Sequence, residues 1–492
     1  MQTSWIDSWP ENILNLYFVI LLIIAIYSIH KFVIVWRYYR YRDQAPQPVE
    51  YFSTSDLPPI TIQLPLFNEM YVVDRLLDAI AALDYPSEKL QIQVLDDSTD
   101  ETQDLCRTKV ESLQRDNHNI EYIHRPNRQG YKAGALSYGL QQTSSELVAI
   151  FDADFLPAPD ALLNMVHYFT DPQIGMVQAR WGHLNRNYSL FTEVQALMLD
   201  GHFVTEQTSR HRSACFFNFN GTAGIWRTKA IEDAGGWQHS TVTEDLDLSY
   251  RAQLRGWRAV YLPNIIVPAE LPMEMNAFKS QQFRWAKGAS QVAKKLLLRI
   301  FKAPIPFYVK CEAFFHLTNN FNYLLLLLLL LLSLPYQISL THVTSGYGSL
   351  IHIPLFLVTT SSLLSFYWVS EFEQDRHPSF WQLTSSSLLL MGVGIGLSLN
   401  QSLAVCDGLF RAGKEFVRTP KHGVTRSDQT WSTKKYRAAK SWVPYLELSM
   451  LVYLLITLGV ALVNQHYLSL PFLTLFVGGY LYVLAMGAFQ RR

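Results

Sequence analysis

The sequence predicts a mainly parallel α/β domain inserted between membrane-spanning helices, on three observations. Long apolar runs are confined to the first 36 residues and to the chain beyond residue 312. Between them, short β-rich runs alternate with helical stretches, and the ends of those runs carry acidic clusters.

At 492 residues the chain exceeds the usual size of one domain. Hydrophobic residues make up 49%, high for a wholly soluble protein. Lys plus Arg and Asp plus Glu balance at 41 each, so bulk attraction to nucleic acid is excluded as a driving force. Cys106, Cys215, Cys311 and Cys406 lie far apart with no CxxC pair, which points to neither a zinc site nor a disulfide framework.

The first apolar run, residues 13–35, is too long for a signal peptide and lacks a small-residue cleavage site, so it reads as a retained span. Further runs at 314–334, 350–369, 383–403, 443–463 and 470–488 each approach the ~20 residues that cross hydrocarbon. Arg37, Arg40 and Arg42 follow the first span, whereas only Asp7 and Glu11 carry charge before it, so the N-terminus is expected outside. The basic loop 411–440 and the pair Arg491 and Arg492 are expected inside. Six crossings cannot satisfy both ends. The run 383–403, with Ser385 to Ser387, three glycines, Asn400 and Gln401, is the most polar and is expected to lie at the interface or re-enter. Residues 293–301 mix Lys294, Lys295 and Arg299 with leucines, as an amphipathic helix on the inner leaflet or an ordinary basic surface helix does.

These features divide the chain into an N-terminal anchor and linker (1–50), a cytoplasmic domain (51–290), an interfacial segment (291–312) and a membrane region (313–492) with an interfacial stretch 383–410 and a cytoplasmic loop 411–441. Within the domain, residues 60–64, 92–95, 121–123 and 147–151 read as strands, and 72–82 and 101–113 as helices. That alternation builds a parallel sheet whose ligands gather beyond the carboxyl ends of its strands. The first strand runs into Phe67-Asn68-Glu69, the second into Asp96-Asp97-Ser98-Thr99-Asp100 and the fourth into Asp152-Ala153-Asp154.

Each cluster has a plain structural alternative. Asp96 to Asp100 suits a helix N-terminus, Glu69 a solvated loop, and isolated DxD pairs arise by chance. Convergence on one sheet edge favours a ligand. Glu69, Asp96 and Asp97 can accept hydrogen bonds from a base and ribose, while Asp152 and Asp154 can hold Mg²⁺ or Mn²⁺ against a diphosphate. Lys132 opens a helix after Gly130, where an ammonium can meet that diphosphate. Thr243-Glu244-Asp245 supplies a carboxylate fit to deprotonate an acceptor hydroxyl, with N-capping by Thr243 the competing role. In Gln281-Gln282-Phe283-Arg284-Trp285 a helix offsets neighbouring side chains, so Arg284 is expected at the leaving diphosphate and Trp285 stacked on an acceptor ring; an interfacial Trp anchor is the alternative.

Taken in order, Asp96 to Asp100, Asp152-Ala153-Asp154, Phe219-Asn220-Gly221-Thr222-Ala223-Gly224, Thr243-Glu244-Asp245 and Gln281 to Trp285, followed by spans, resemble glycosyltransferase family two, and within it the membrane-embedded synthases of cellulose, hyaluronan and glucomannan. The resemblance covers nearly the whole chain. It implies a GT-A fold, Asp245 as base beside Glu244, Asp154 as principal metal ligand with Asp152, and Glu69, Asp96, Asp97 and Lys132 at the donor. It further implies Asn220, Gly221 and Thr222 at the acceptor terminus, and Gln281, Arg284 and Trp285 at acceptor and diphosphate. Phe416-Val417-Arg418-Thr419-Pro420-Lys421 is similar to the family's gating loop.

The implied reaction is inverting transfer of a hexose from UDP-glucose or GDP-mannose to a growing β-glycan, processive and coupled to export across the cell membrane. A nonprocessive enzyme making a glycolipid is the alternative, with a lipid acceptor. A transporter or scaffold with a degenerate nucleotide domain would have lost the acidic groups. A glycosidase would use two carboxylates but needs neither metal nor nucleotide pocket. No nucleic-acid partner is expected, and no export partner is identifiable.

Overall fold

The computed structural model describes residues 9–342, 347–374, 376, 378–411, 418–426, 428–437 and 441–490, with 347–353 as backbone alone. Phe416 and Val417 of the gating-type motif, Lys440, Arg491 and Arg492 lie outside the described residues.

Seven strands form one sheet: β1 (Ile60–Leu66), β2 (Leu90–Asp96), β3 (Ile120–His124), β4 (Leu147–Ile150), β5 (Ile174–His183), β6 (Gly224–Arg227) and β7 (Arg258–Ala269). Their order is β3-β2-β1-β4-β6-β5-β7. Every pairing is parallel except those of β6, which runs antiparallel to β4 and β5. β1 to β4 occupy the four segments the alternation predicts. The central strands β1 and β4 are buried along almost their whole length, as strands covered by helices on both faces must be.

The helices are α1 (Trp9–Tyr41), α2 (Val73–Ala81), α3 (Thr102–Arg115), α4 (Tyr131–Leu140), α5 (Ala161–Val166), α6 (Leu190–Asp200), α7 (Thr208–Arg212), α8 (Thr228–Asp233), α9 (Glu244–Leu254), α10 (Met275–Lys302), α11 (Phe307–Thr318), α12 (Asn322–His342), α13 (Tyr347–Phe372), α14 (Phe380–Gly396), α15 (Ser398–Phe410), α16 (Val443–Val463) and α17 (Leu470–Phe489). A π-helical turn, Gly201–Gln207, joins α6 to α7. α2 shows how the covering helices dock: Val73, Leu76, Leu77 and Ile80 recur at helical spacing and are buried against the sheet.

Among the described residues, five helical runs are long and apolar enough to cross a membrane: Trp9–Tyr41, Phe307–His342, Pro354–Phe372, Val443–Val463 and Tyr467–Phe489. They contain four of the six anticipated segments and overlap a fifth, 350–369, from residue 354. The sixth is broken: α14 and α15 meet at a bend of 51°. Ser386 near the start of the pair hydrogen-bonds Glu193 of α6, and Lys294 of α10 donates to the Leu409 carbonyl at its end, so both ends lie against helices of the catalytic half. The anticipated interfacial segment 293–301 forms the last turns of α10, with Ala293, Leu296 and Ile300 buried and Lys294, Leu298 and Arg299 exposed.

The spans share two ends. At one, the Trp9 and His342 rings lie 5.8 Å apart and His466 Nδ1 stands 2.8 Å from Gln337 Oε1. At the other, Arg42 and Tyr38 donate to Glu373 at 2.6 and 3.0 Å, and Lys279 of α10 grips Glu447 of α16 at 2.5 and 2.7 Å. The α/β domain sits at this second end.

Candidate active site

The carboxyl ends of β1, β2 and β4 open on one cavity, as a parallel sheet of this kind requires. Glu69, Asp97, Asp152, Asp154, Glu244 and Asp245 line it together with Lys132, Asn220, Gly221, Gln281, Arg284, Trp285, Arg418 and Lys421. Two of the anticipated residues stay outside. Asp96 is fully buried and its carboxylate accepts from Ser98 N–H at 2.9 Å and Tyr122 OH at 2.7 Å. In this structure it shapes the turn after β2, and its carboxylate is not among the groups lining the cavity. Thr222 is likewise fully buried, its hydroxyl accepting from the Asp152 N–H at 2.8 Å, so it holds the DxD backbone.

Asp97 faces the cavity but is gripped bidentately by Arg125, through Nε at 2.7 Å and Nη2 at 2.5 Å. Arg125 Nη2 also donates to the Tyr131 carbonyl at 3.1 Å, tying the β2 end to the start of α4. Asp100 takes the capping part of the cluster, accepting from Thr102 N–H at 3.0 Å as α3 begins. The cluster therefore divides between the two roles read from it.

Lys132, the second residue of α4, reaches Asp152 Oδ1 at 2.5 Å and the Gly221 carbonyl at 2.9 Å. Burial alone would lower its pKa; Asp152 and Glu244 outweigh that and hold it above the usual lysine value. Gly221 has φ +86°, and a Cβ there would stand 2.9 Å from Asp245 Oδ2, so only glycine permits this approach.

Asp245 occupies the first turn of α9, where the Leu246 N–H donates to its Oδ1 at 2.8 Å. Thr243 precedes the helix without a side-chain capping bond, so the competing N-cap reading fails. Burial, reinforced by the neighbouring Glu244 carboxylate, pushes the Asp245 carboxyl up to about 7. Glu244 is raised for the same first reason. That value suits a group that must take up a proton near neutrality.

Gln281, Arg284 and Trp285 all line the cavity from one face of α10. Positions three and four apart lie on one side of a helix, which brings Gln281 together with Arg284 and Trp285 at the cavity. Arg284 is half-buried at the cavity wall; desolvation lowers its pKa, while Glu244, Asp152 and Asp245 act against that.

Residues 418–426 and 428–436 strap across this opening. Arg418 holds Glu69 bidentately, with Nε at 2.9 Å, and Lys421 pairs with Asp154. Glu270, at the end of β7, accepts from the His422 and Gly423 N–H groups at 2.8 and 2.9 Å. Arg125 and Glu270 went unnoticed in the sequence because neither belongs to a motif; only their places after β3 and β7 could have signalled them.

Asp152 and Asp154 offer hard carboxylate oxygens to the same cavity, each now meeting a lysine ammonium, so the pair already attracts positive charge. Among the described residues no third His, Cys, Asp or Glu completes a cation shell. A divalent ion fits here with its remaining positions filled by oxygens of a bound diphosphate and water.

A parallel-sheet domain with carboxylates at the ends of three strands, a DxD pair and a helix-borne carboxylate facing them defines the class of nucleotide-sugar-dependent transferases. Residues 58–288 match the profile described as glycosyltransferase like family 2. The chain is 35% identical over 416 residues to glucomannan 4-beta-mannosyltransferase 1 of Oryza sativa subsp. japonica, covering 82% of this chain and 77% of the relative. It is 36% identical over 406 residues to glucomannan 4-beta-mannosyltransferase 2 of Arabidopsis thaliana, covering 79% and 72%. The protein belongs to glycosyltransferase family 2, in its cellulose-synthase-like branch, and is a hexosyltransferase of β-glycan. Its fold is GT-A: a mannosyltransferase from Pyrobaculum calidifontis, solved with GDP-Man and Mn²⁺, superposes with a TM-score of 0.52 at 23% identity, covering 71% of this chain and 97% of that one.

Because folded Asp245 keeps its proton to about pH 7 against an ordinary 3.8, its ionisation costs stability as pH rises through that window, and the cost is constant above it. Replacing Asp245 with Asn removes the cost. The melting midpoint of the detergent-solubilised variant should therefore exceed that of the parent at pH 8, with the gap closing by pH 4; a gap independent of pH would refute the raised carboxyl.

Proposed function

We propose that the chain transfers mannose from GDP-mannose, with inversion at the anomeric carbon, to the end of a growing 4-β-linked mannan or glucomannan, processively and with export of the product. The observation that carries this is Asp245 facing the DxD pair across one cavity, with Arg284 and Trp285 beside it. The donor base and sugar come from the relatives, named as mannosyltransferases, and from the neighbour solved with GDP-Man.

In this reading Asp245 takes the proton of the acceptor hydroxyl as that oxygen attacks the anomeric carbon from the face opposite the leaving group. The carbon–oxygen bond to the diphosphate breaks, GDP departs with the bonding pair, and an α-linked donor yields a β linkage. Lys132 and Arg284 offset the charge on the departing diphosphate. Asp152 and Asp154 would hold Mg²⁺ or Mn²⁺, which supplies further charge neutralisation there when bound. Glu69 and Asp97 border the nucleoside side of the cavity, Asn220 and Gly221 the acceptor side, and Trp285 offers an aromatic face to the acceptor ring.

Membrane vesicles offered radiolabelled GDP-mannose or UDP-glucose with Mn²⁺ should make alcohol-insoluble polymer from GDP-mannose, and Asp245→Asn should lower this by at least about 100-fold, the range of a lost general base. Polymer from UDP-glucose alone would replace the donor; label found only in lipid would favour the glycolipid enzyme.

The strap contains the gating-type residues Arg418 to Lys421, and on this reading it closes over the donor. Lys421 then competes with the metal for Asp154. Lys421→Gln should lower the Mn²⁺ concentration giving half-maximal GDP binding, whereas an unchanged or raised requirement would show that the ammonium does not compete.

The proposed topology places the N-terminus outside, five crossings, the catalytic domain in the cytoplasm and the chain in the cell membrane, supported by Arg37, Arg40 and Arg42 at the domain end of α1. In a background without native cysteines, Trp381→Cys and Phe410→Cys, both strongly exposed, should label from the cytoplasmic side and Tyr467→Cys from the other. Labelling of Trp381→Cys and Phe410→Cys from opposite sides would make α14 and α15 a sixth crossing.

A further inference from the structure

The π-helical turn between α6 and α7 makes contacts that the reaction scheme above leaves unused. At 3.6 residues per turn, residues 202 and 207 of an α-helix would point about 140° apart. The i→i+5 winding returns both to one side, toward Asn220. There Gln207 Nε2 donates to Asn220 Oδ1 at 2.7 Å and to the Asn218 carbonyl at 2.8 Å. His202 Nε2 lies 3.0 Å from Asn220 Nδ2, and His202 Nδ1 lies 3.0 Å from Glu206 Oε2.

Only one polarity satisfies this chain in its neutral form. The Glu206 carboxylate accepts, so His202 Nδ1 carries the hydrogen and Nε2 presents its lone pair. Asn220 Nδ2 therefore donates to His202, which leaves Asn220 Oδ1 for Gln207. Turning the Asn220 amide would oppose two donors at Gln207, and Gln207 is held by the Asn218 carbonyl. The Asn220 N–H is fixed as well, donating to Gln178 Oε1 at 2.9 Å. One N–H and one lone pair of the Asn220 amide remain, on a residue that lines the catalytic cavity next to Gly221, where a Cβ would stand 2.9 Å from Asp245 Oδ2.

The far end is anchored in the membrane half. Glu206 pairs with Lys31 of α1 and with Arg210 at 3.3 Å, and Arg210 Nε donates to Glu312 of α11 at 3.0 Å. Gly201 opens the turn where a Cβ would strike the Phe366 ring of α13 at 2.6 Å, so the turn is wedged between spans.

We infer that His202 and Gln207 are positioning residues that aim the Asn220 amide at the acceptor sugar, with Glu206 and Lys31 bracing them against the membrane helices. This rests on the transferase reading above. The chain acts on the acceptor and leaves the donor side, built by Glu69, Asp97 and the DxD pair, untouched.

Purified full-length protein is assayed for mannose transfer from GDP-mannose to a soluble β-1,4-mannohexaose, with KM and kcat measured for each substrate. His202→Ala should raise the acceptor KM at least tenfold while the GDP-mannose KM stays within twofold. His202→Gln should recover most of the loss, because its carbonyl can accept from Asn220 while its amide donates to Glu206. Gln207→Leu, which cuts the second tie, should show the same split, so the inference does not depend on one variant folding. An acceptor KM unchanged in both His202→Ala and Gln207→Leu, or both substrates' KM values rising together, overturns the inference and leaves the transferase reading standing. Failure of the parent to transfer mannose from GDP-mannose overturns both.

Discussion

Seven carboxylates border one cavity, and the electrostatics of keeping them together governs the surrounding structure. Glu69, Asp97, Asp152, Asp154, Glu244, Asp245 and Glu270 come from five separate segments, and in a partly desolvated space their repulsion would drive the segments apart. Each is answered by a cation from elsewhere in the chain: Arg418 for Glu69, Arg125 for Asp97, Lys132 for Asp152, Lys421 for Asp154 and Arg75 for Glu270, with Lys132 and Arg284 acting on Glu244 and Asp245. Removing one partner of a buried pair leaves an uncompensated charge and costs about 3–5 kcal/mol. The cavity thus dictates where α4, α10 and the strap must lie.

The same demand joins the catalytic domain to the membrane. α10 carries Arg284 into the cavity, and five residues earlier Lys279 on that helix grips Glu447 of α16. Lys287, three residues after Arg284, pairs with Asp407 of α15 at 2.6 Å, and Asn400 of that helix donates to the Lys279 carbonyl at 3.1 Å. One rigid helix therefore presents an arginine to the chemistry and two lysines to the membrane half. The strap does likewise from the other direction, since it leaves α15 and returns to α16 with Arg418 and Lys421 in the cavity between. Neither the domain nor the spans could shift without breaking buried ion pairs.

Much of this was legible because it rests on local pattern. β1 to β4 are apolar runs with turn residues after them, and their acidic ends announce the cavity. β7 was hidden by Pro263 and Pro268, which argue against a central strand and are tolerated here because β7 lies at the sheet edge. β6 is four residues long and antiparallel, so no βαβ rhythm could reveal it. Asp96 and Asp97 look alike in sequence; only the turn after β2 decides which carboxylate enters the core and which faces outward. The π-helical turn has no compositional signature, and without it His202 and Gln207 appear to point away from one another.

The cations of the cavity differ in how they are tethered, and this bears on how a charged donor can enter. Arg125 is clamped to Asp97 by two hydrogen bonds and to the backbone at Tyr131, and Lys132 is fixed by Asp152 and the Gly221 carbonyl. Both belong to the domain itself. Arg418 and Lys421 arrive on a strap held by backbone donors to Glu270 and by Tyr436 and Lys435 at Asp100 and Glu101. Lys435 and Glu101 are both exposed, so that tie is weak. On the proposed reading, a nucleoside diphosphate sugar brings two negative charges and a divalent ion two positive ones, so their joint arrival is close to neutral. Lys421 can then yield Asp154 without leaving a bare carboxylate, whereas Arg125 has no such replacement at Asp97, and Lys132 keeps the Gly221 carbonyl when the ion shares Asp152. Exchange at the strap and permanence in the domain follow from the same charge balance, which makes the strap the element whose movement admits the donor at least electrostatic cost.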